Sequence, residues 1–129
     1  MLISVRTLQS SGCTNMKYSI GVNLTAGEAN TLFTVPMGYR AIVSYLFIAN
    51  AASSGSAEVS ASWVNGTTIV FQSAKSVGHG DSLQFGGDGK WMALREGDSI
   101  TVTPAAGSTF TAIISFELER HNPSVVSFA

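Results

Sequence analysis

The sequence predicts an all-β protein, a single antiparallel β-sandwich of jelly-roll or immunoglobulin-like type with N- and C-terminal arms. Two observations favour this class: apolar residues recur with a two-residue period, and glycine-rich turns separate the runs about every 8–12 residues. A third is that no stretch shows the periodicity of an amphipathic helix. A chain of 129 residues can bury one core but not two ordinary domains. The expected organisation is an arm over residues 1–15, a sandwich over 16–119 and a tail over 120–129.

The central part of the predicted sandwich is residues 31–50, TLFTVPMGYRAIVSYLFIAN. Two apolar runs flank Pro36 and Gly38, which favour a tight turn because proline fixes one φ and glycine permits a positive one. The second run, residues 41–49, is apolar or small at nearly every position. It is therefore expected to be the central strand, buried on both faces.

The first half of the chain contains further strand patterns. Residues 1–15 start apolar and continue into Ser, Gly and Asn, which indicates an arm or an edge strand followed by a linker. Residues 18–24 and 57–64 alternate between apolar and polar side chains, as half-buried strands do. The second alternation predicts that Trp63 lies in the core. Asn65-Gly66 then predicts a two-residue type I′ hairpin, with residues 67–72 returning.

The second half predicts shorter elements. Residues 73–81, SAKSVGHGD, have two glycines and no period, so they are expected to form a long connection. Gly86-Gly87-Asp88-Gly89 is expected to be a β-turn. The last strand, residues 109–119, alternates over its whole length, which specifies its register. Short strands are expected between these features, at residues 82–85, 90–94 and 99–103.

The composition restricts the possible partners. Only 12% of the residues are charged, against roughly 25% in an average soluble domain, and the mean hydropathy is +0.26. So few charges favour a surface that is partly covered by copies of the chain or by neighbours. The net charge of −1 and the scattered Lys and Arg argue against direct nucleic-acid binding. No apolar run approaches the ~20 residues of a membrane span.

The single cysteine and the N-terminal sequence bear on where the protein is made. Cys13 has no second cysteine with which to form an internal disulfide. The opening MLISVR lacks the basic and apolar regions of a secretory signal. Assembly in a cytoplasm is therefore predicted.

No catalytic, cofactor-binding or metal-binding residue is predicted. Lys75, His79 and Asp81 share one segment, but no nucleophile accompanies them, so they are expected to be solvent-exposed. A metal ion would need more ligands than His79, Asp81 and the distant His121 supply. Trp91 is the best candidate for stacking against a sugar ring.

Three segments together resemble a group of small virion proteins of tailed bacteriophages. They are a TVPMG turn that feeds a buried strand ending in Ala-Asn, the ASWVNG strand, and LREGDSITV before the closing strand. The resemblance covers residues 31–119 and leaves both terminal segments outside it. It implies a β-sandwich structural component of the virion, assembled in the host cytoplasm, and it brings no catalytic residues.

Apolar residues at both ends lie outside the alternating pattern, and they are the predicted assembly contacts: Leu2, Ile3, Val5, Val125, Val126 and Phe128. Such segments are expected to bind other copies of the chain, preferably in a trimer, or other virion proteins such as the major capsid protein. Together with the resemblance, this predicts a capsid decoration or cement subunit and not an enzyme. The alternative is a host-recognition or carbohydrate-binding module of a tail, neck or fibre.

Overall fold

The structure is a computed structural model that describes the backbone of residues 2–9 and 16–120 and the side chains of residues 4, 5 and 16–120. These residues form ten strands and no helix, packed as two antiparallel sheets, which confirms the predicted fold class. The strands are β1 (Leu2–Gln9), β2 (Met16–Asn23), β3 (Asn30–Thr34), β4 (Tyr39–Asn50), β5 (Ser56–Val64), β6 (Thr68–Gly78), β7 (Ser82–Gly86), β8 (Met92–Leu94), β9 (Ser99–Pro104) and β10 (Phe110–Arg120).

The strand order identifies the sandwich as a jelly roll. The larger sheet has the order β1-β2-β10-β4-β7, with β8 also paired to β4, and the smaller sheet has the order β3-β9-β5-β6. Along the chain, most connections between β2 and β10 therefore cross from one sheet to the other, as two interlocked Greek keys require. Of the two predicted architectures, the immunoglobulin-like one is excluded by this order.

The core lies between the inner faces of the two sheets, and most of its side chains are apolar. In β10, the inward side chains alternate with outward ones along the strand, as predicted. The buried apolar residues are Ile20, Val22, Leu32, Phe33, Val35, Ala41, Val43, Leu46, Ile48, Val59, Ala61, Val77, Leu94, Ile100, Val102, Phe110, Ala112, Ile114 and Phe116.

Strand β4 differs from its prediction. Its inner positions are buried, but the outward side chains of Ile42, Tyr45 and Phe47 are only half-buried, because no layer formed by the described residues covers the outside of this sheet. The prediction of burial on both faces was wrong. A nearly continuous apolar run here produces a half-exposed apolar outer face and not a second core layer.

Two further sequence predictions require correction. The Asn65-Gly66 hairpin exists, but Val64 pairs with Thr68, so its loop has three residues, and only Gly66 has a positive φ. The expected long connection at residues 73–81 is mostly strand, because β6 continues to Gly78 across an irregularity at Ala74. The Ala74 amide donates to Ser60 Oγ at 2.9 Å, which holds the irregular residue, at φ 38°, against β5.

Two buried asparagines, Asn30 and Asn50, stabilise connections between the sheets through side-chain hydrogen bonds to the backbone. Asn30 Nδ2 donates to the carbonyls of Thr25, Glu28 and Val102, while its Oδ1 accepts from the Thr25 amide. Asn50 Nδ2 donates to the carbonyl of Val77 at 2.8 Å. Each side chain thus satisfies backbone groups near a connection between the two sheets.

Candidate functional site

The outer faces of both sheets are built largely from uncharged side chains. On the larger sheet, one row across the strands consists of Gly21, Ile113, Phe47 and Gln84, and Ile113 is 41% exposed. On the smaller sheet, the corresponding row is Thr31, Thr101, Ser62 and Val70. Neither row carries a charge, so these rows can contact another protein without desolvating an ion.

Charged side chains on the larger sheet lie near one end of it. Arg40 Nε donates to Glu119 Oε2 at 2.6 Å. One register step further in, Lys17 of β2 lies opposite Glu117 of β10. Beyond this pair the outer face changes to hydroxyls, where Ser19 Oγ and Ser115 Oγ are 2.7 Å apart.

A loop interrupts the edge of the larger sheet. Gly86 pairs with Tyr45, and Met92 pairs with Val43. Ser44 of β4 therefore lies opposite a loop of five residues, 87–91. The amides of Gly87 and Trp91 donate to the carbonyls of β4 at 3.0 and 2.8 Å and close the base of this loop. The predicted β-turn at residues 86–89 therefore does not reverse the chain, which resumes its direction as β8.

Gly86 is the residue at which this loop tolerates no side chain. Its φ is 77°, and an added Cβ would lie 2.5 Å from the Ser44 carbonyl oxygen and 2.7 Å from Trp91 Cβ. Gly86→Ala is expected to lower the free energy of unfolding by about 1–3 kcal/mol, because it adds backbone strain to a close contact. Urea titration measures this loss. Gly89→Ala is the control, since its φ is also positive but a Cβ there meets nothing within 4 Å. An equal loss in the two variants would contradict the importance of the contact.

The loop and the outer face together enclose a groove of about 410 Å³. The groove is lined by both polar and apolar groups, which include serine hydroxyls, ammonium and carboxylate groups, and parts of Tyr18 and Phe116. It is lined by Lys17, Tyr18, Ser19, Ser44, Gly89, Lys90, Ser115, Phe116 and Glu117. The hydroxyl and charged groups are able to form hydrogen bonds with a ligand, and the apolar groups add contact area.

Sequence analysis missed this groove. Lys17, Ser115 and Lys90 are far apart in the chain and belong to no local motif. The groove depends on the register of β2 on β10 and on the loop after β7. The one candidate binding residue predicted from this part of the sequence is Trp91, which follows the groove residue Lys90.

Trp91 lies in a half-buried aromatic cluster next to the groove. Its ring contacts Phe85 at 5.8 Å and Phe71 at 5.5 Å, between centroids, and Phe71 and Phe85 meet edge-to-face at 5.3 Å. Phe71 belongs to β6 and Phe85 to β7, the edge strands of the two sheets. The cluster thus closes this side of the sandwich, which leaves only part of the Trp91 ring at the surface.

The other predicted site residues fall in three places. Val5 lies on edge strand β1 and is 57% exposed. The side chains of Leu2 and Ile3, and all of Val125, Val126 and Phe128, lie outside the described residues. Lys75, His79 and Asp81 are exposed along β6 and the turn after it. Trp63 faces inward but is only partly buried.

The described part of the chain contains neither a candidate metal site nor a candidate membrane-spanning helix. Its His, Cys, Asp and Glu residues include no group of three that is able to hold a metal ion. Nor do its elements include a helix long and apolar enough to cross a membrane.

Comparisons with known proteins agree with the fold. No protein-family model and no curated protein matches the sequence. The chain is similar in structure to a protein of Bacillus endospore appendages, which form a novel family of disulfide-linked pili. The TM-score is 0.51 at 15% identity, over 89% of this chain and 100% of that one. At this identity, the similarity shows a shared fold alone.

Two weaker similarities have TM-scores below 0.5. A chain of infectious bursal disease virus strain Gx gives 0.45 at 12% identity, over 95% of this chain and 34% of the viral one. HppE in complex with cobalt(II) and Tris buffer gives 0.42 at 14% identity, over 89% of this chain and 52% of that one. The similar solved structures thus include a spore pilus protein, a viral protein and HppE. The two weaker similarities do not indicate a function for this chain.

Proposed function

We propose that this chain is a structural subunit of a bacteriophage virion, a capsid decoration or cement protein that assembles with copies of itself and with the major capsid protein. The observation that carries the proposal is the row of uncharged side chains across the outer face of each sheet. Most soluble monomers intersperse charges of both signs on such faces, which keeps them from associating. Here these rows contain no charged side chain, and the described charged side chains on the outer face of the larger sheet lie near one end of it.

The terminal segments supply further contact groups. Val5 is exposed on β1, and the tail after Arg120 adds Val125, Val126 and Phe128 in sequence. Burying a Val or Phe side chain contributes about 1.5–3 kcal/mol, which a short tail loses in large part to its own ordering. A single tail therefore binds weakly, and repetition around a closed ring, a trimer by preference, supplies the remaining strength. The proposal assigns no catalytic role.

The groove favours a second candidate function. Its hydroxyls, together with Lys17, Lys90 and Glu117, offer hydrogen bonds for recognition of a glycan by a tail, neck or fibre module. The partly exposed Trp91 ring lies next to Lys90 and is the candidate stacking surface. Copy number separates the two candidates: hundreds per particle indicate capsid decoration, and multiples of three, six or twelve indicate a tail or fibre.

Deleting residues 122–129 tests the main proposal. The truncated chain is expected to keep its β-sandwich but to sediment as a monomer or to lose particle binding, because the apolar tail is removed while the core is intact. Analytical ultracentrifugation and circular dichroism measure the two properties. The matched control replaces Ser124 and Ser127 with alanine, which keeps the length and the apolar residues of the tail.

The outcome that contradicts the role of the tail is also specific. If the truncated chain keeps both its oligomeric state and its particle binding, the interface lies on the sheet faces. If the full-length chain is monomeric at every concentration and is absent from purified particles, the structural function itself is wrong.

A further inference from the structure

The groove on the outer face of the larger sheet lies at an irregularity in the central strand β4. Two consecutive residues of β10 pair with Tyr45 and Val43, which leaves Ser44 as an extra residue of β4, a β-bulge. On the other edge of β4, the same Ser44 lies opposite the loop that follows β7. Bulges re-aim side chains and are frequent next to active sites. The pairing of β4 is therefore interrupted on both sides at the residue that lines the groove.

The irregularity brings serine hydroxyls from three adjacent strands into the groove. Ser19 of β2, Ser115 of β10 and Ser44 of β4 all line it. Ser19 Oγ and Ser115 Oγ lie 2.7 Å apart, so one of these hydroxyls donates to the other. This bond uses one of the two hydroxyl hydrogens, and the second hydrogen and the remaining lone pairs are available to a ligand. A ligand hydroxyl, which also donates and accepts, is complementary to this pair.

The charged residues of the groove favour an anion. Lys17, Lys90 and Glu117 together carry one positive charge, whereas the whole chain carries −1. Both lysines are exposed, and neither forms an ion pair with another residue in the described part of the chain. Two ammonium groups beside one groove attract a carboxylate more strongly than a neutral group.

The loop after β7 places Lys90 at the groove in a conformation that depends on glycine. Gly86, Gly87 and Gly89 all have positive φ, and an added Cβ at Gly86 would lie 2.5 Å from a backbone oxygen of β4. The amides of Gly87 and Trp91 donate to β4 carbonyls, which fixes both ends of the loop. The backbone position of Lys90 is thus set by the sheet, while its exposed side chain is able to reach a ligand.

We propose that this groove binds an acidic sugar, with the carboxylate beside Lys17 and Lys90 and the ring hydroxyls against the Ser19–Ser115 pair. The inference rests on the second candidate of the proposed function, recognition of a glycan, and specifies the class of glycan. A uronic acid combines one carboxylate with several neighbouring hydroxyls, which is the combination that the lining groups match. The groove volume of about 410 Å³ lies within the roughly 300–1,000 Å³ of small-molecule sites. Exposed lysines bind a carboxylate weakly, so repetition over many copies supplies the remaining strength.

Titrations followed by saturation-transfer difference NMR test the class of ligand. The probes are the methyl glycosides of glucuronic acid and galacturonic acid. Their controls are methyl glucoside and methyl galactoside, which have a hydroxymethyl group in place of the carboxylate. The full chain is expected to bind at least one acid at millimolar concentration, about tenfold more tightly than its neutral counterpart. This preference is expected to decrease as the salt concentration rises, because the lysines are exposed.

Charge variants test the location of the site. Lys90→Gln is expected to weaken binding of the acid about fivefold, and Lys17→Gln with Lys90→Gln is expected to remove the preference for the acid. Glu117→Gln is expected to strengthen binding about twofold or more, because it removes a like charge, and a misfolded variant cannot produce such a gain. The control is Lys75→Gln, which removes the same charge from an exposed position on β6 of the smaller sheet and is expected to leave binding unchanged.

The outcomes separate this inference from the proposed function. Equal affinity for the acids and their neutral counterparts overturns the acidic class but leaves glycan recognition in place. Equal effects of Lys90→Gln and Lys75→Gln overturn the assignment to the groove. If the chain binds none of the four sugars, the inference is wrong, and if it also binds no glycan on an array, glycan recognition fails as well. The role as a structural subunit is tested separately, by the tail deletion and the copy number.

Discussion

Replacing Phe116 with alanine is expected to lower the free energy of unfolding by about 3–5 kcal/mol. Phe116 is 5% exposed and lies between the Phe33 ring, at 4.1 Å, and the Tyr18 ring, at 5.4 Å. Its removal leaves a cavity in the contact that joins the sheets and also eliminates two aromatic stacking contacts. A domain has only about 5–15 kcal/mol in total, so this variant should be close to unfolding at physiological temperature.

Urea titration followed by tryptophan fluorescence, at one fixed protein concentration, measures this loss. Phe47→Ala is the control because it removes the same atoms from β4, where the ring is half-buried on the outer face. Its cost should be about 1 kcal/mol. If the two variants lose stability equally, the Phe33–Phe116 contact does not hold the sheets together as described.

Trp63→Ala is expected to cost about 3–5 kcal/mol, mainly from the loss of a large inward-facing side chain. Trp63 lies opposite Ile100, which is fully buried. Its indole Nε1 also donates to Asp98 Oδ2 at 3.2 Å, and the same oxygen accepts from the Arg95 amide at 3.1 Å. The indole therefore both packs against the core and satisfies a buried carboxylate in the turn before β9.

Trp63→Phe separates these two contributions. It keeps most of the apolar ring but removes the donor to Asp98, at an expected cost of about 1.5–3 kcal/mol. Thermal unfolding of both variants beside the parent chain measures the difference. A loss below about 1 kcal/mol for Trp63→Ala would show that the indole contributes little to the core.

Local sequence patterns predicted the strands better than they predicted the connections. Strand β10 was predicted to within one residue, since its alternation is strict and a one-residue slip would expose every buried side chain. The predicted strand at residues 67–72 is shorter than β6, because Gly78 and Gly80 resemble loop residues in the sequence. Its inward side chains near Lys75 are interrupted by the irregularity at Ala74, so no alternation is visible in sequence.

The turn after β3 shows why sequence does not specify sheet membership. Pro36 and Gly38 correctly predict a tight turn, and the Tyr39 amide donates to the Pro36 carbonyl at 3.2 Å. The strands on either side nevertheless belong to different sheets. A turn fixes only the local direction of the chain, whereas pairing depends on which distant strands bury the exposed edges.

The sequence by itself determined the all-β class, the inward positions of the long strands, the low surface charge and the apolar character of both termini. These properties follow from the composition and the two-residue period, which act within a few residues. Only the tertiary structure decided the jelly-roll order, the groove between Lys17 and Lys90 and the partial burial of Trp91. Each of these depends on contacts between residues tens of positions apart, because the width and register of a sheet are properties of several strands together.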